Sequence, residues 1–481
     1  MTKYLTFNRR DFIKTAGAAS ALLLSQNSLA RASKPPLGRV VIIGGGYAGT
    51  TAAKYIRMWS LGNIEAIMIE KSSQFVSCPL SNLVLGGSKS IDDLTFGYDL
   101  VKKNHGVKWV NDEVTSVNAS TKKVTMKRGE ITYDRLIIAP GIDFMYDTLP
   151  NLQSAEAQRQ VPHAWKAGWQ TVNLRKQLEA MPDGSVFVMN VPKAPYRCPP
   201  GPYERVCQVA SYLKTNKPNS KIIVLDANPE IVSKKGLFTK VWADMYTGMI
   251  DYRPNNVVVE VDIATKTVRT DFETVTANVL NIIPPQRAGK PAQMAGLNNI
   301  DKRWCEVDFL TYESKLSPNV HVIGDSVSAA LPKSAHMATS QARVCANAIV
   351  ALMSGQAPDA TPVFANTCYS YVNDKQAMHV ANVYRYDEAK KKSWFRQKVV
   401  AFQPVLPSRK VNMLALGRRI FGLTCLPSFN LCSKRLFLKS ARSFNWRFAA
   451  YPRSLAQLPQ NHRTGSISIY LLDSKSIFSP S

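Results

Sequence analysis

Residues 39–49 read RVVIIGGGYAG, an apolar run that ends in the pattern Gly-x-Gly-x-x-Gly. The apolar run predicts a buried β-strand, and residues Thr51–Trp59 predict a helix directly after the glycines. A second apolar strand, Glu65–Ile69, is followed by the acidic side chain of Glu70. This order of strand, glycine turn, helix, strand and acid is typical of the dinucleotide-binding Rossmann unit.

Each glycine of this pattern has its own role in a Rossmann unit. Gly44 makes the tight turn, Gly46 lets the backbone approach a pyrophosphate, and Gly49 lets helix and strand pack closely. The N-terminus of the helix offers free N–H groups and the positive end of its dipole to the phosphates. Glu70 is predicted to accept hydrogen bonds from the ribose hydroxyls of adenosine.

Two later segments favour FAD over NAD as the bound dinucleotide. Residues 133–141, YDRLIIAPG, predict a strand that ends in a small-residue turn at Gly141. Residues 319–325, NVHVIGD, predict another strand, which ends in a Gly-Asp pair before a helix. In flavoproteins with two dinucleotide-binding domains these turns lie near the FAD, and the Gly-Asp carboxylate holds the ribityl chain. Asp325 is therefore a predicted FAD-binding residue.

A second strand–helix–strand unit follows, with strands at Ser185–Met189 and Lys221–Asp226 and a helix at Tyr203–Thr215. Its turn, residues 191–204, reads VPKAPYRCPPGPYE instead of a glycine pattern. Prolines remove backbone donors and larger side chains obstruct a phosphate, so NAD(P)H is not the predicted reductant. The turn places Cys198 and Glu204 at a helix start, a setting that predicts a lowered thiol pKa.

The predicted fold is α/β, with two Rossmann-like dinucleotide-binding domains, the second inserted into the first, plus a C-terminal interface region. The predicted divisions are a signal segment (1–32), the first part of the FAD domain (37–155), the second Rossmann-like domain (156–288), the second part of the FAD domain (289–357), the interface region (358–393) and an atypical basic tail (394–481).

The N-terminus has the pattern of a twin-arginine export signal. NRRDFIK at residues 8–14 precedes the short apolar run Ala16–Leu24, and Ala-Arg-Ala at 30–32 supplies a small-residue cleavage pattern. A short N-terminal helix or a membrane anchor is the alternative, although the apolar run is too short to span a bilayer comfortably, and no later segment reaches transmembrane length. The sequence therefore predicts a periplasmic protein without a transmembrane segment.

The formal net charge of +27 is unevenly distributed. Residues 391–481 contain sixteen Lys and Arg against one acidic residue, Asp473, so more than half of the excess lies in the last fifth of the chain. No nucleic-acid-binding motif accompanies this charge, and a nucleic-acid partner is not predicted. Two interpretations of the tail stay open: an extension that binds an acidic partner or an anionic membrane surface, or out-of-frame sequence that replaces the usual C-terminus.

The eight cysteines do not share one role. Those among apolar or helical residues, Cys207, Cys305 and Cys345, are predicted to be small buried hydrophobes, and Cys425 and Cys432 belong to the tail. The chain has no Cys-x-x-Cys-His motif and no convincing metal-ligand spacing, so neither a haem nor a metal site is predicted in it.

From the signal to about Tyr386, the chain resembles a known family, the flavoprotein subunit of flavocytochrome c sulfide dehydrogenase. The resemblance depends on several long strings in one order: Ile42–Gly49, Cys78–Asn82, Val161–Gly168, Tyr196–Arg205, Ile283–Gly289 and Asn366–Ser370. Beyond about Lys390 it ends.

The resemblance implies specific roles. Cys78 corresponds to a cysteine that is covalently linked to the 8α carbon of the flavin. Cys198 and Cys368 correspond to a redox-active disulfide beside the flavin ring, and Glu204 to an acid near that disulfide. The implied substrate is a small sulfur compound, and the implied partner is a c-type cytochrome subunit in a heterodimer. The open alternatives are a free thiol near a non-covalently bound FAD for Cys78, a purely structural disulfide for Cys198 and Cys368, and a surface or helix-N-terminal acid for Glu204.

Two other functions stay open. A sulfide:quinone oxidoreductase would need an apolar quinone pocket and membrane-binding C-terminal helices, and the basic tail keeps this alternative in view. A non-catalytic flavin-binding or assembly module would bind FAD that sulfide does not reduce.

Overall fold

The computed structural model describes residues 36–388 and the backbone of 394–399 and 406–407. The predicted signal segment lies outside the described residues, as does the predicted tail apart from those two short backbone segments.

The strands and helices are numbered separately in chain order. The strands are β1 (Gly38–Ile43), β2 (Ile64–Ile69), β3 (Phe75–Val76), β4 (Thr95–Phe96), β5 (Lys108–Val110), β6 (Val114–Asn118), β7 (Lys123–Met126), β8 (Gly129–Thr132), β9 (Arg135–Ile138), β10 (Ile142–Phe144), β11 (Val186–Val191), β12 (Lys221–Asp226), β13 (Ile250–Arg253), β14 (Val258–Asp262), β15 (Thr267–Thr270), β16 (Thr274–Thr276), β17 (Val279–Asn281), β18 (Gln286–Ala288), β19 (Glu313–Ser314), β20 (Ser317–Val322), β21 (Val363–Tyr371), β22 (Gln376–Tyr386), β23 (Trp394–Val399) and β24 (Leu406–Pro407). The helices are α1 (Tyr47–Trp59), α2 (Ser81–Gly86), α3 (Asp99–His105), α4 (Ala155–Gln160), α5 (Trp169–Ala180), α6 (Gly201–Asn216), α7 (Lys235–Met245), α8 (Lys290–Met294) and α9 (Ala335–Met353).

The first sheet has six strands in the order β19-β20-β9-β1-β2-β5. All neighbouring strands are parallel except β19, which runs antiparallel to β20. The apolar runs of β1, β2 and β9 are almost fully buried, as expected for strands of a parallel sheet covered on both faces. Helices α1 and α9 pack against each other beside this sheet.

The second sheet has four parallel strands in the order β13-β12-β11-β17. All of them lie in the chain between β9 and β20, which are neighbours in the first sheet. The predicted α/β fold with two Rossmann-like units, the second inserted into the first, is therefore confirmed. Helix α6 begins two residues before the prediction, because Pro202 in its first turn is compatible with a helix N-terminus.

The C-terminal region is an antiparallel hairpin of β21 and β22 that β23 extends. Strand β23 lies within the predicted tail, so the sheet continues six residues past the boundary predicted at 393. β24 also pairs with β22, near its other end.

Two large clusters of buried apolar side chains form the cores of the two Rossmann-like units. Cys305 and Cys345 lie in the first cluster and Cys207 lies in the second, each fully buried. The prediction that these three cysteines are small buried hydrophobes is confirmed.

Candidate flavin and thiol site

Nine of the ten predicted site residues line one cavity of about 940 Å³. They are Gly44, Gly46, Glu70, Cys78, Gly141, Cys198, Glu204, Asp325 and Cys368. The tenth, Gly49, lies behind the glycine turn, where a Cβ atom would overlap the carbonyl oxygen of Gly44. The close approach of α1 to the turn therefore requires glycine at position 49. Gly44 itself has φ +104°, a backbone conformation that favours glycine.

The start of α1 fits a phosphate group. Gly46 is the N-cap residue, and no side chain caps the first turn of the helix. A Cβ atom at Gly46 would meet its nearest neighbour, the ring of Phe75, at 3.9 Å. Packing within the protein therefore does not require glycine at position 46, whereas contact between the backbone and a pyrophosphate does.

Glu70 follows β2, and its carboxylate stabilises the glycine turn. Its carboxylate accepts hydrogen bonds from the N–H groups of Gly45 and Ser72, both at 2.9 Å. A carboxylate has about four acceptor positions, so two bonds leave capacity for a ribose hydroxyl at the wall of the cavity.

Asp325 lies in a short 3-10 turn, Gly324–Ser326, that follows β20. Its Oδ1 atom is buried and has no hydrogen-bond partner among the described residues. Burial raises the pKa of this carboxyl, while the positive charges of Arg197 and Lys333 lower it. A buried acceptor without a donor is costly, and the hydroxyl groups of a ribityl chain would supply donors. The residues present therefore fit FAD.

Lys333 stabilises the turn that contains Asp325, although no sequence pattern marks this residue. Its ammonium donates to the carbonyl oxygens of Asp325 at 2.8 Å and Val327 at 2.7 Å. It also lies 3.7 Å from the centre of the Trp304 ring. Burial lowers the pKa of Lys333 to about 8.

Cys78 is a half-buried thiol between β3 and α2. Its sulfur accepts a hydrogen bond of 3.5 Å from the N–H group of Ala167. Residue 167 belongs to the string VPHAWKAG (161–168), so two separate parts of the sequence resemblance meet at this thiol.

Cys198 and Cys368 reach the cavity from distant parts of the chain, the loop before α6 and the middle of β21. Both are free thiols in this structure. Cys198 has φ 59° and its N–H group donates to the carbonyl oxygen of Lys333 at 2.7 Å. A Cβ atom at Gly201 would lie only 2.8 Å from the Cys198 sulfur, which therefore packs on the first turn of α6.

The prediction of a lowered thiol pKa at the start of α6 is wrong. Burial raises the pKa of Cys198 well above its ordinary value, and the negative charges of Cys368 and Glu204 raise it further. Burial also raises the pKa of Cys368, although the positive charge of Lys234 partly offsets this effect. Desolvation of the thiolate outweighs the favourable dipole of the helix.

Glu204 connects three elements around the thiols. This buried carboxylate lies in the first turn of α6 and accepts hydrogen bonds from the N–H group of Tyr371 at 2.8 Å and from Nδ2 of Asn82 at 3.0 Å. Burial raises its pKa, and the two hydrogen bonds lower it. Its burial excludes a surface acid, whereas its place in the first turn of α6 leaves the alternative of a helix-N-terminal acid open.

The neighbouring Arg205 was not singled out from the sequence. Its guanidinium is almost fully buried and donates to Oδ1 of Asn82 at 3.0 Å and to the carbonyl oxygen of Ala164 at 2.6 Å. Further bonds reach the carbonyl oxygen of His163 and Oδ1 of Asn281. Its adjacency to Glu204 in the string GPYER was the available signal, because a buried acid needs nearby donors.

The second unit differs at the positions where the first would bind a nucleotide. Its N–H groups at the turn are used internally: Ala194 donates to Asn228 Oδ1 at 3.0 Å and Arg197 to Gln286 Oε1 at 2.8 Å. Asp226 ends β12, as Glu70 follows β2. Its carboxylate accepts hydrogen bonds from the hydroxyls of Tyr203 and Tyr252, both at 2.8 Å, and from Asn228. This acid is thereby occupied by protein donors.

Among residues 36–388, no helix is long and apolar enough to cross a membrane. Within the same residues, no group of three or more His, Cys, Asp or Glu side chains is arranged to hold a metal ion.

Fold and site together define a flavin-binding oxidoreductase of the pyridine nucleotide-disulphide oxidoreductase class, whose family model matches residues 38–169. Two further family models match later segments: the central part of the sulfide dehydrogenase (flavocytochrome c) flavoprotein chain at residues 171–284, and the flavin-binding part of flavocytochrome c sulphide dehydrogenase at 360–400. Together these matches indicate a protein of the pyridine nucleotide-disulphide oxidoreductase family that is like the flavoprotein of flavocytochrome c sulfide dehydrogenase.

Similar proteins include two mitochondrial sulfide:quinone oxidoreductases. The one from Mus musculus is 25% identical over 344 residues, which are 66% of this chain and 72% of the mouse protein. The one from Dictyostelium discoideum is 24% identical over 324 residues, 64% of this chain and 69% of that protein. The crystal structure of the sulfide:quinone oxidoreductase from Aquifex aeolicus has the same fold, with a TM-score of 0.63 and 18% identity over 83% of this chain and 95% of that chain.

Proposed function

We propose that the chain is a periplasmic, FAD-dependent sulfide dehydrogenase that oxidises sulfide at a Cys198–Cys368 disulfide and passes electrons to a separate c-type cytochrome. The observation that carries this proposal is the convergence of Cys198 and Cys368 on the cavity that the glycine turn and Asp325 also line. Membership of a family of sulfide-oxidising flavoproteins supports the choice of substrate.

The chain's own residues account for FAD binding. The glycine turn and the start of α1 hold the pyrophosphate, Glu70 the adenosine ribose, and Asp325 the ribityl hydroxyls. Cys78, at the wall of the same cavity, forms the covalent link to the flavin 8α carbon. If so, the flavin stays with the protein in acid precipitation, and the variant Cys78→Ser releases it.

The reaction follows thiol–disulfide exchange. Hydrosulfide attacks one sulfur of the disulfide, which gives a persulfide on that cysteine and releases the other as a thiolate. Oxidation of hydrosulfide to zero-valent sulfur releases one proton and two electrons. FAD, held by the glycine turn and Asp325, would supply an acceptor for the electron pair that can pass electrons on singly to a haem. Glu204, which acts electrostatically on both thiols, takes up the proton or adjusts the pKa of a cysteine.

NAD(P)H is not the proposed electron donor. The turn of the second unit uses its N–H groups within the protein, and the carboxylate of Asp226 is occupied by Tyr203, Tyr252 and Asn228. A nicotinamide dinucleotide would have to displace all of these contacts in order to bind there.

A quinone is the second candidate acceptor, because the similar proteins of Mus musculus and Dictyostelium discoideum are sulfide:quinone oxidoreductases. The cytochrome is preferred since two family models describe flavocytochrome c, which combines a flavoprotein with a haem protein. The twin-arginine pattern at residues 8–14 also favours a soluble periplasmic acceptor.

The test is an anaerobic titration of the purified protein with sulfide, followed through the visible absorbance of oxidised flavin, with NADH as the control. Bleaching by sulfide but not by NADH is the expected result. The rate at which the reduced flavin is reoxidised is then measured with cytochrome c and with a short-chain ubiquinone as acceptors. Faster reoxidation by the quinone would overturn the proposed acceptor. If sulfide does not bleach the bound flavin, the proposed activity is wrong and the alternative of a non-catalytic flavin-binding module is favoured.

A further inference from the structure

Lys234 lies directly beside the thiol pair, although no sequence pattern marks it. It is the N-cap residue of α7 and adopts φ 60°, a conformation that lysine rarely takes. Its ammonium donates to the carbonyl oxygen of Cys368 and to the hydroxyl of Ser370, both at 2.8 Å. The side chain is thus anchored to the strand that presents Cys368 and holds a positive charge next to it.

The charges around the two sulfurs are not symmetrical. The positive charge of Lys234 lowers the pKa of Cys368, and the negative charge of Glu204 raises it. For Cys198 the main charge effects come from two anions, the Cys368 thiolate and Glu204, and the cations Lys234 and Arg197 act more weakly. The positive charge therefore favours a thiolate at Cys368 over a thiolate at Cys198.

We propose that Lys234 is a positioning residue that makes Cys368 the leaving thiolate and so directs hydrosulfide to Cys198. This inference rests on the proposed sulfide oxidation. Hydrosulfide forms a new S–S bond to the Cys198 sulfur, the Cys198–Cys368 bond breaks, and its electron pair stays on Cys368. The product is a persulfide at Cys198, which keeps the hydrosulfide proton, and a thiolate at Cys368.

The chemical reason is the dependence of exchange on the leaving group. In thiol–disulfide exchange the sulfur with the lower thiol pKa leaves faster. An opposite charge within a few ångströms lowers a thiol pKa by about 1 to 3 units, enough to decide between two otherwise similar sulfurs. The same charge also attracts the hydrosulfide anion into a buried cavity.

Several other titratable groups lie in the same environment as Lys234 and the two thiols. They are Cys198 and Glu204 from the start of α6, Tyr369 on β21, His379 on β22 and His336 on α9. His336 Nδ1 accepts the N–H group of Thr367, and burial lowers the pKa of both histidines. Both are therefore neutral above pH 7, where the thiols are titrated.

The experiment uses the full-length flavoprotein and the variants Lys234→Met, Lys234→Arg and Ser370→Ala. After reduction, the alkylation of each cysteine by iodoacetamide is measured against pH by peptide mapping. In the unsubstituted protein Cys368 is expected to have the lower midpoint. Lys234→Met should raise that midpoint by about one pH unit and Lys234→Arg should restore most of it.

Ser370→Ala is the matched control, because it removes a hydrogen bond of Lys234 without changing the charge. Its midpoints should equal those of the unsubstituted protein, which separates the charge effect from a purely structural one. Lys234→Met should also slow flavin bleaching by sulfide roughly threefold to tenfold.

A second readout locates the persulfide itself. After a brief exposure to sulfide and trapping with iodoacetamide, the extra sulfur is expected on Cys198, and Lys234→Met should spread it over both cysteines. A persulfide on Cys368 in the unsubstituted protein, or an unchanged Cys368 midpoint in Lys234→Met, overturns the role of Lys234. Failure of sulfide to bleach the flavin overturns the proposed function instead, since the alkylation midpoints do not depend on turnover.

Discussion

The two Rossmann-like units have the same strand–turn–helix plan and use the turn in opposite ways. In the first unit the turn after β1 is GGGYAG, and the helix start has no side-chain cap. In the second unit, N–H groups of the turn after β11 donate to the side chains of Asn228 and Gln286. The same turn places Cys198 and Glu204 at the cavity wall. The same position in the strand–turn–helix plan can therefore present either backbone donors that suit a phosphate or the side chains of the proposed thiol chemistry.

The acids that follow or end the second strand of each unit, β2 and β12, also differ in whether the carboxylate is available to a ligand. Glu70 accepts two backbone hydrogen bonds and lies at the cavity wall. Asp226 is fully buried and satisfied by two tyrosine hydroxyls and Asn228. The first acid remains available to a ligand, and the second has become part of the core of its unit.

Substitution of the glycines in the first turn should have the largest effect. Gly49→Ala places a Cβ atom on the carbonyl oxygen of Gly44, so it should abolish flavin binding and lower the free energy of unfolding by about 1–3 kcal/mol. Gly46→Ala meets no close neighbour and should reduce the flavin content while leaving the stability of the apoprotein unchanged.

Both variants are checked by the ratio of flavin to protein and by urea unfolding of the flavin-free protein. Gly236→Ala is the control, since a Cβ atom there meets nothing within 4 Å and the residue lies on α7, away from the cavity. Full flavin content in Gly46→Ala would contradict a close approach of phosphate to this turn.

Removal of the acid in the second unit should affect stability and spare the cofactor. Asp226→Ala leaves two hydroxyls and the donors of Asn228 without their acceptor, which should cost about 3 kcal/mol of unfolding free energy. Asp226→Asn should cost only about 1 kcal/mol, because its oxygen can face Asn228 while the tyrosine hydroxyls rotate to accept.

Urea unfolding and flavin content measure the two halves of this prediction. The flavin content should stay at the level of the unsubstituted protein in both variants, and NADH should still fail to bleach the flavin. A loss of flavin on substitution of Asp226 would mean that the second unit is not separate from the cofactor site.

Glu204→Gln tests the chemistry that replaces phosphate binding in the second turn. The Glu204 carboxylate raises the pKa of both Cys198 and Cys368, so its neutralisation should lower their alkylation midpoints by about one pH unit. The direction is opposite to that expected for Lys234→Met. The effect should be present only above the pKa of Glu204 itself, because a protonated carboxyl has no charge to remove.

Glu156→Gln, at an exposed acid that pairs with Arg159 on α4, is the control and should leave both midpoints in place. An upward shift in Glu204→Gln would mean that loss of the hydrogen bonds to Tyr371 and Asn82, rather than loss of charge, governs the thiols.

The sequence predicted the fold well because its signals are local. The apolar runs of β1, β2 and β12 fix parallel strands, and the glycine pattern after β1 fixes the first turn. The cysteines and Glu204 were found through a resemblance in short strings. Lys234, Lys333 and Arg205 were missed, since a single cation in a loop or on a helix shows no periodicity, and its partners come from distant segments. The thiol pKa was predicted in the wrong direction because burial depends on segments far along the chain, such as that of Lys333, whose carbonyl oxygen accepts the N–H group of Cys198.

The last prediction concerns the two tyrosines that occupy Asp226, and one of them carries the smallest single effect. Tyr203 is fully buried, and its hydroxyl both donates to Asp226 and accepts the N–H group of Val232 at 3.2 Å. Tyr252 is half-buried and donates to the same carboxylate oxygen, where water can replace it in part. Tyr203→Phe should therefore lower the unfolding free energy by about 2 kcal/mol, and Tyr252→Phe by about 0.5 kcal/mol.

Urea unfolding of both single variants and of the double variant measures the difference. Because the two hydroxyls share one acceptor, the double variant should lose more unfolding free energy than the sum of the two single losses. Equal costs for the two single variants would show that solvent reaches Asp226 from both sides, and the contrast with the accessible Glu70 would then lose its physical basis.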